Sequence, residues 1–595
     1  MSNIGRVREE LVVGRGDPVY MAHGYLTKVP VPAIMPFIVA YTSPGDVVVD
    51  PFAGSGMTGV ASAALGRRAR LFDISVLGQH IGRNYVNLVD HDAFVKAADE
   101  VMRATRERLA DVYGVTCQAC GRTAQLVKTI WSFQVECSGC GQPVSYYRAM
   151  EATGWSKREM KCPGCGTGVT SKDRRVGEVA EVDSISCVCS SKQREQPASP
   201  PQIAVDLDEL PYPRVEITPD RQMYKAQALG RSGLTTVASY YAPRNLAVLT
   251  VLHEQIGRVE DPALRQKLRF AFTSVLTRAS KRYQWSPVRP LNAANANYYV
   301  ASVFYEWNVF DLFERKVEAM IRSDDWLRSM RSDDTLFGPG QFDLDVTYEL
   351  ASAETIPLPD ASVDYVFTDP PFGSNLFYAD MALFQEAWLD GFTDVTREAV
   401  VDRGTKKQRS ANRYEQMLTQ ALSECRRILK PGGRISMVFG NSTGSMWSLV
   451  QRSIQNAGLV IEPDRLVVLN KGQRSVKGLA SGFEHVATLD LIMTMVPNGD
   501  DHRAFVSPPQ QVVVEAARTA AADGGLMTSP SHIYLELLRR GMREHWDLSE
   551  LDLRVITRTL MADGWEVDEG SSRLRKGPDH AWGHEPRQDV VGLVP

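Results

Sequence analysis

Apolar positions along the chain follow a strand-and-helix rhythm in two separated stretches and lose it between them. Residues 47–50 (VVVD) are a short apolar run ending in an acid, the pattern of a strand covered on both faces. The glycine-rich turn Pro51-Phe52-Ala53-Gly54-Ser55-Gly56 and the helical stretch MTGVASAALG come next. A second strand, Ala69 to Asp73 (ARLFD), leads into the helix-like segment LGQHIGRNYVNLV. Strand, tight loop, helix, strand, helix is the opening of a doubly wound parallel sheet. The rhythm then stops. Residues 95–115 are helical and charged, 117–189 carry cysteines, 190–202 (SSKQREQPASPPQ) read as a polar, proline-bearing linker, and 240–320 regain a helical period. Alternation resumes near Val346 with YELAS and VDYVFTDPPF, the helices YADMALFQEAWLDGF and YEQMLTQALSECRRILK, the strand RISMVFG, the helix MWSLVQRSIQNAG and the strands RLVVLN and ATLDLIMTMV.

The simplest account is one α/β domain interrupted between its second and third strands. Its first part is residues 1–94 and its second 341–497; the insertion spans 95–340, with cysteines at 117–189 and a helical segment at 205–340. A small helical appendage is predicted over 498–595, from HIYLELLRRGMREHW and LSELDLRVITRTLMADG.

Composition narrows the picture further. With 595 residues, 44% of them hydrophobic and 23% charged, this is a soluble multidomain composition. No apolar run approaches the ~18 residues of a membrane span, and the first residues lack a signal-peptide core, so a cytoplasmic protein is expected. A net charge of −4 confines any contact with a polyanion to local patches. Eight of the nine cysteines lie between Cys117 and Cys189, which points to metal and not to disulfides. Cys425 stands alone in SECRRILK and reads as core.

Two motifs carry chemistry. In DPFAGSG, Gly54 and Gly56 have no Cβ to keep a ligand's polar tail from the backbone N–H groups. Asp73, ending the next strand, can accept hydrogen bonds from a ribose diol. The run Gly54-x-Gly56-x-x-Gly59 also matches a dinucleotide fingerprint, but a pyrophosphate turn needs no Asp-Pro-Phe lead-in. The second motif, Asp369-Pro370-Pro371-Phe372, follows the apolar strand VDYVF. Methylating an amino nitrogen requires acceptors for its N–H protons, which the Asp369 carboxylate and the Pro370 carbonyl can provide. Two prolines stiffen the loop and Phe372 can stack on an extruded base. Both motifs fall at the carboxyl edge of the sheet, where open α/β sheets bind ligands.

With these motifs the chain resembles the N6-adenine/N4-cytosine DNA methyltransferase superfamily, whose fold is the Rossmann-like class I methyltransferase sheet. HGYLTKVPVPAI, DPFAGSG, SAETIPLPDASVDYVFTDPPF, RILKPGGRISMVFGN and NKGQRSVKG are similar to successive motifs of that family. The resemblance implies that Asp50, Phe52, Gly54, Ser55, Gly56 and Asp73 hold S-adenosylmethionine, with Lys28 near its carboxylate and Glu354 near its adenine. It implies that Asp369, Pro370, Pro371 and Phe372 hold the target base in double-stranded DNA. The Asp first letter favours adenine N6 over cytosine N4. Enzymes of this kind commonly mark host DNA beside restriction or phage-defence proteins. Rival readings are an RNA amino-methyltransferase and an inactive DNA-binding subunit.

Cys117-x2-Cys120-x16-Cys137-x2-Cys140 has the spacing of a zinc ribbon, and Cys162, Cys165, Cys187 and Cys189 would form a second site. The spacing also admits Cys137 and Cys140 pairing with Cys162 and Cys165. Four sulfurs per ion make the zinc structural. Seven Lys/Arg and no acid lie between Arg265 and Arg289, interleaved with Phe270, Phe272, Tyr283 and Trp285, suiting either phosphate contact or inward-packed aromatics. Arg403 to Arg413, with Lys406, Lys407 and Arg409, and Lys471 to Lys477, with Arg474, are candidate DNA-backbone loops.

Overall fold

A computed structural model describes residues 7–14, 16–157, 159–199, 203, 205–227, 229–287, 291–292, 298–332, 344–373, 376–402, 409–471, 489–498, 504–508, 511, 514–515, 519, 529–562, 565–567 and 574–576. The main sheet runs, from one edge to the other, Glu10–Val12, Leu459–Asn470, Asp490–Pro497, Leu429–Phe439, Val363–Thr368, Val47–Asp50, Arg68–Asp73 and Val346–Leu350. Val47–Asp50 lies parallel to both Arg68–Asp73 and Val363–Thr368, so strand order reverses direction between the two motif-bearing strands. Asp490–Pro497 is antiparallel to both of its neighbours. This is the doubly wound sheet expected from the sequence, with Asp369 ending its fourth long strand.

Alternation along Val363–Thr368 divides the core in two. Tyr365 and Phe367 face one hydrophobic cluster and Val366 the other, which Val363 joins across the register shift between it and Tyr365, as a strand buried on both faces allows. On the second face pack Ala411–Ile428 and Gly444–Asn456, joined by Pro530–Arg543 and Leu553–Ala562. The C-terminal helices therefore complete this core: Leu538, Leu548 and Leu551 are fully buried beside Trp447. The edge strand Glu10–Val12 pairs with Val468–Asn470, a three-residue element too short for its pattern to announce.

The insertion is not a separate ball. His91–Leu109, Pro243–Gly257, Pro262–Ala279 and Val309–Ser332 share the first core with the Val76–Tyr85 helix. Phe270 stacks on His23 at 5.0 Å and meets Tyr85 edge-on at 5.1 Å. Pro262–Ala279 starts where Asp261 caps it and Pro262 occupies the first turn, a favoured pairing at helix starts. Its basic residues do not form a free face over this length: Phe270 and Phe272 are fully buried, and Lys267 pairs with Asp324 at 2.6 Å with both side chains 1% exposed. The inward-packing alternative holds for this helix.

Beyond these helices stands a second, antiparallel sheet built on the long strands Thr123–Glu136 and Arg175–Ser186. Val303–Trp307 and Tyr283–Gln284 extend it on one side, so strands interrupt the helical stretch expected over 240–320. Arg194–Pro197 extends it on the other, pairing with Val182–Ile185; the segment read as a linker is partly strand. Among the described residues, no helix is long and apolar enough to cross a membrane.

Candidate active site and metal centres

The glycine loop is tied down by two carboxylates. Asp50 accepts the Phe52 N–H at 3.1 Å on Oδ1 and the Thr58 hydroxyl at 2.6 Å on Oδ2, clamping the strand end to the first turn of Met57–Ala64. Burial pushes its carboxyl up to about 7. Asp73 accepts the Gly54 N–H at 2.8 Å and the Ser75 N–H at 2.9 Å, one on each oxygen, and each oxygen keeps a second lone pair for a ligand. Gly54 has φ +48°, and a Cβ there would lie 3.3 Å from the Tyr25 ring. At Gly56, φ +80°, a Cβ would stand 2.7 Å from the Gly82 Cα; this glycine lets two helices touch and does not line the cleft.

Opposite the loop, Val363–Thr368 delivers the tetrad. Tyr414 donates its hydroxyl to the Pro371 carbonyl at 2.5 Å, and Asn441 Nδ2 donates to the Phe372 carbonyl at 2.8 Å. The Phe372 ring meets Phe439 edge-on at 5.1 Å. The frame is thus held from outside, while Asp369 Oδ1 is enclosed and has no hydrogen-bond partner among the described residues. Burial pushes the Asp369 carboxyl up to about 7, opposed by the Lys471 ammonium and reinforced by Asp490 and Asp50. Lys471 in turn pairs with Asp490 at 2.7 Å.

One cleft of about 990 Å³ joins the loops, lined by Lys28, Asp50, Phe52, Gly54, Ser55, Asp73, Glu354, Asp369 and Pro371. Of the residues picked out in the sequence, Gly56, Pro370 and Phe372 do not line it. Lys28 departs from its expected role. Its ammonium has three donors, and they reach Tyr20 O at 2.7 Å, His23 O at 2.6 Å and Tyr85 OH at 3.4 Å. Burial lowers its pKa to about 7; the residue clamps the preceding turn and is no free counter-charge for a ligand carboxylate. Glu354 pairs with Arg413 at 2.9 Å.

Sequence reading missed Tyr25, Glu398 and the pair Thr27–Tyr378, whose hydroxyls lie 3.1 Å apart across the cleft. Tyr25 and Thr27 stand in HGYLTKVPVPAI, a segment in which sequence reading singles out only Lys28, whereas tertiary packing alone brings Glu398 and Tyr378 to the cleft. Arg409, expected to meet DNA, is held by Glu398 and Asp402, each at 2.6 Å. Arg403, Lys406, Lys407, Arg474 and Lys477 lie outside the described residues.

The cysteines form two tetrads, each with all four sulfurs within 4.8 Å of one another: Cys117, Cys120, Cys187 and Cys189, and Cys137, Cys140, Cys162 and Cys165. This corrects the pairing of Cys117 and Cys120 with Cys137 and Cys140 and selects the alternative. Thr123–Glu136, read as the span of a ribbon, is a single 14-residue strand, which at ~3.3 Å per residue holds the two knuckles about 40 Å apart. Antiparallel Arg175–Ser186 then returns the chain to the first knuckle. Sulfur separations of 3.5–3.8 Å match the ~3.8 Å edge of a tetrahedron with ~2.3 Å zinc–sulfur bonds. Gly121, Gly141 and Gly166 follow three of the pairs at φ +72° to +75°, and each N–H closes its knuckle onto the first cysteine's carbonyl. Both tetrads can hold a metal ion.

No curated protein matches the chain. Among solved structures it is similar to geranyl diphosphate methyltransferase in complex with GPP and sinefungin, at 9% identity over 30% of this chain and 60% of that one, with a TM-score of 0.16. It is also similar to geranyl diphosphate C-methyltransferase from Streptomyces coelicolor A3(2), at 11% identity over 32% of this chain and 60% of that one, with a TM-score of 0.15. The chain thus spans 60% of the length of each of these solved chains. The family model described as DNA methylase, of the N6/N4 type, matches residues 13–90 and 363–486, the two parts that supply the glycine loop and the tetrad. In those two segments the chain matches, and is similar to, the N6-adenine/N4-cytosine DNA methyltransferase superfamily.

Proposed function

We propose that the protein methylates the N6 amino group of adenine in double-stranded DNA, using S-adenosylmethionine, with the target base extruded into the cleft beside Asp369. The observation that carries this reading is the enclosed, unpartnered Asp369 Oδ1, since leaving such an acceptor unpaired costs about 1–3 kcal/mol. An exocyclic amino group supplies the missing donor. Bound S-adenosylmethionine would supply an electrophilic methyl group. The residues fit it: Gly54 leaves a cradle that a side chain would fill toward Tyr25, and Asp73 and Glu354 present oxygens to the same cleft.

Asp369 accepts one amino N–H on Oδ1, and the Pro370 carbonyl accepts the other, so the nitrogen's lone pair is freed toward the methyl donor. Phe372, whose ring packs edge-on against Phe439, would turn toward the cleft to stack on the base. Adenine is preferred over cytosine on the tetrad's first letter, by resemblance. The insertion would contribute recognition of the DNA, and its tetrads would hold two structural zinc ions; host DNA marking is the role such chemistry serves. The test is methyl transfer from tritiated cofactor to unmethylated plasmid DNA, followed by nucleoside analysis. N6-methyladenine is expected; label in cytosine moves the reading to N4, label in RNA alone overturns it, and DNA binding without label identifies an inactive subunit.

A further inference from the structure

The insertion's antiparallel sheet has one face in the main core and the other on a smaller hydrophobic cluster with the Tyr146–Glu151 helix, at whose rim several rings are only half-buried. In the pleat, Phe304 lies opposite Gln284 and packs on Phe133 at 5.5 Å within the main core. Its neighbours Tyr305 and Trp307, and Tyr283 and Trp285 on the next strand, therefore point to the other face. The sequence writes this twice, as Tyr283-x-Trp285 and Tyr305-x-Trp307. Tyr283, Tyr305 and Trp307 stand 5.6–6.0 Å apart, and Trp285 continues the row to Trp155 at 5.0 Å. Tyr283, Trp285 and Trp307 are only half-buried.

Two cations cover this row. Lys128 lies 4.9 Å above Tyr305 and 5.2 Å above Trp307, and Arg278 lies 4.5 Å above Trp307 and 5.0 Å above Tyr283. Among the described residues neither forms an ion pair, and Arg278 Nε and Trp307 Nε1 both lack an acceptor. The exposed Glu195 acts on Lys128 only at longer range. At the far end an open cavity of about 790 Å³ is lined by Trp155, Trp285 and the exposed Tyr299. Trp155 holds φ +73°, a conformation that is strained for a bulky residue and collects at functional positions.

Half-buried rings in a row and cations with no ion-pair partner among the described residues match the needs of an unpaired strand, whose bases stack while its phosphates take the charges. We infer that this face binds single-stranded DNA, with bases stacked on Tyr283, Trp285 and Trp307 and phosphates at Lys128 and Arg278. The choice of DNA over RNA rests on the proposed function; the surface itself does not. A strand opened beside the methylation site, or a single-stranded flank of it, is the ligand this geometry suits.

The test measures affinity of the full chain for a labelled ~16-nucleotide DNA strand, the matching duplex and the matching RNA, across a salt series. Single-stranded DNA is expected to bind tightest. Tyr283→Ala and the double variant Lys128→Gln/Arg278→Gln should each weaken it about tenfold, the latter also flattening the salt dependence by about one to two charges. Melting temperature and cofactor binding, measured on the same variants, should stay at wild-type values; a variant whose melting temperature drops is replaced by Lys128→Gln alone, for which a severalfold loss is expected. Wild-type affinity in the well-folded variants overturns the inference, as does tighter binding of duplex or RNA that is lost in the same variants. Asp369→Ala should bind the strand normally, so a failed methylation reading and a failed strand site give different results.

Discussion

Asp50 and Asp369 end neighbouring parallel strands of one sheet, and burial pushes both carboxyls up to about 7. Their surroundings differ. Asp50 has a donor on each oxygen, Phe52 N–H and the Thr58 hydroxyl; Asp369 keeps Oδ1 enclosed and without a partner among the described residues. A raised pKa therefore does not separate a structural acid from a reactive one here, whereas the hydrogen-bond inventory does. The filled acid builds the loop, and the unfilled one is the acid that the proposed transfer assigns to the incoming amino group.

The strongest way to break this comparison is Asp369→Ala. Methyl transfer should fall on the order of 1000-fold, while cofactor affinity measured by calorimetry stays near wild type; unchanged turnover would remove the tetrad from the chemistry. Asp50→Ala should reverse the pattern. It strands two donors and should destabilise the fold by about 2–4 kcal/mol, seen in thermal melting, and weaken cofactor binding as the loop loosens. If it instead left stability untouched, the clamp would be a bystander.

The pH profile sharpens the contrast further. The acceptor must be ionised, so transfer should decline as pH falls through about 7, approaching tenfold per unit on the acid limb. For stability the sign is opposite: a carboxyl raised in the folded state favours folding most at pH below its ordinary value, near 4, and that contribution is lost as pH rises through about 7. Asp50→Asn should flatten this stability slope and, because the Asp50 charge reinforces the rise at Asp369, move the transfer limb slightly to lower pH. The smallest effect is expected of Lys471→Met. Its ammonium opposes the rise at Asp369, so its removal should move the transfer limb to higher pH by up to about one unit, with turnover on the alkaline plateau retained.

Much of this was legible in the sequence because it is local. VVVD before DPFAGSG, and VDYVF before DPPF, announce strand ends and loops within a few residues, and the doubly wound order follows from their alternation with helices. What stayed hidden depends on partners far along the chain. The cysteine pairing was decided by Thr123–Glu136 being one strand, which keeps Cys120 from Cys137 and brings in Cys187 through Arg175–Ser186. Lys28 reads as a free cation until His23 and Tyr20 turn their carbonyls on it. The stretch Arg265 to Arg289 held both readings at once: Phe270 and Phe272 go to the core, and Tyr283 and Trp285 to the outer sheet face.

The interruption of the main sheet also has a kinetic side. Val48 and Val49 hydrogen-bond beside Tyr365 and Val366, so the two central strands can pair only after everything between them has been made and has found room to fold. Such distant closures are slow steps, and chains of this size assemble through intermediates. The sulfur knuckles and helices of the insertion, being built from nearer contacts, can order first and bring the two ends together. During synthesis the cleft would therefore form only after the second segment has been made, and a chain made only through the insertion would have nowhere to hold a base.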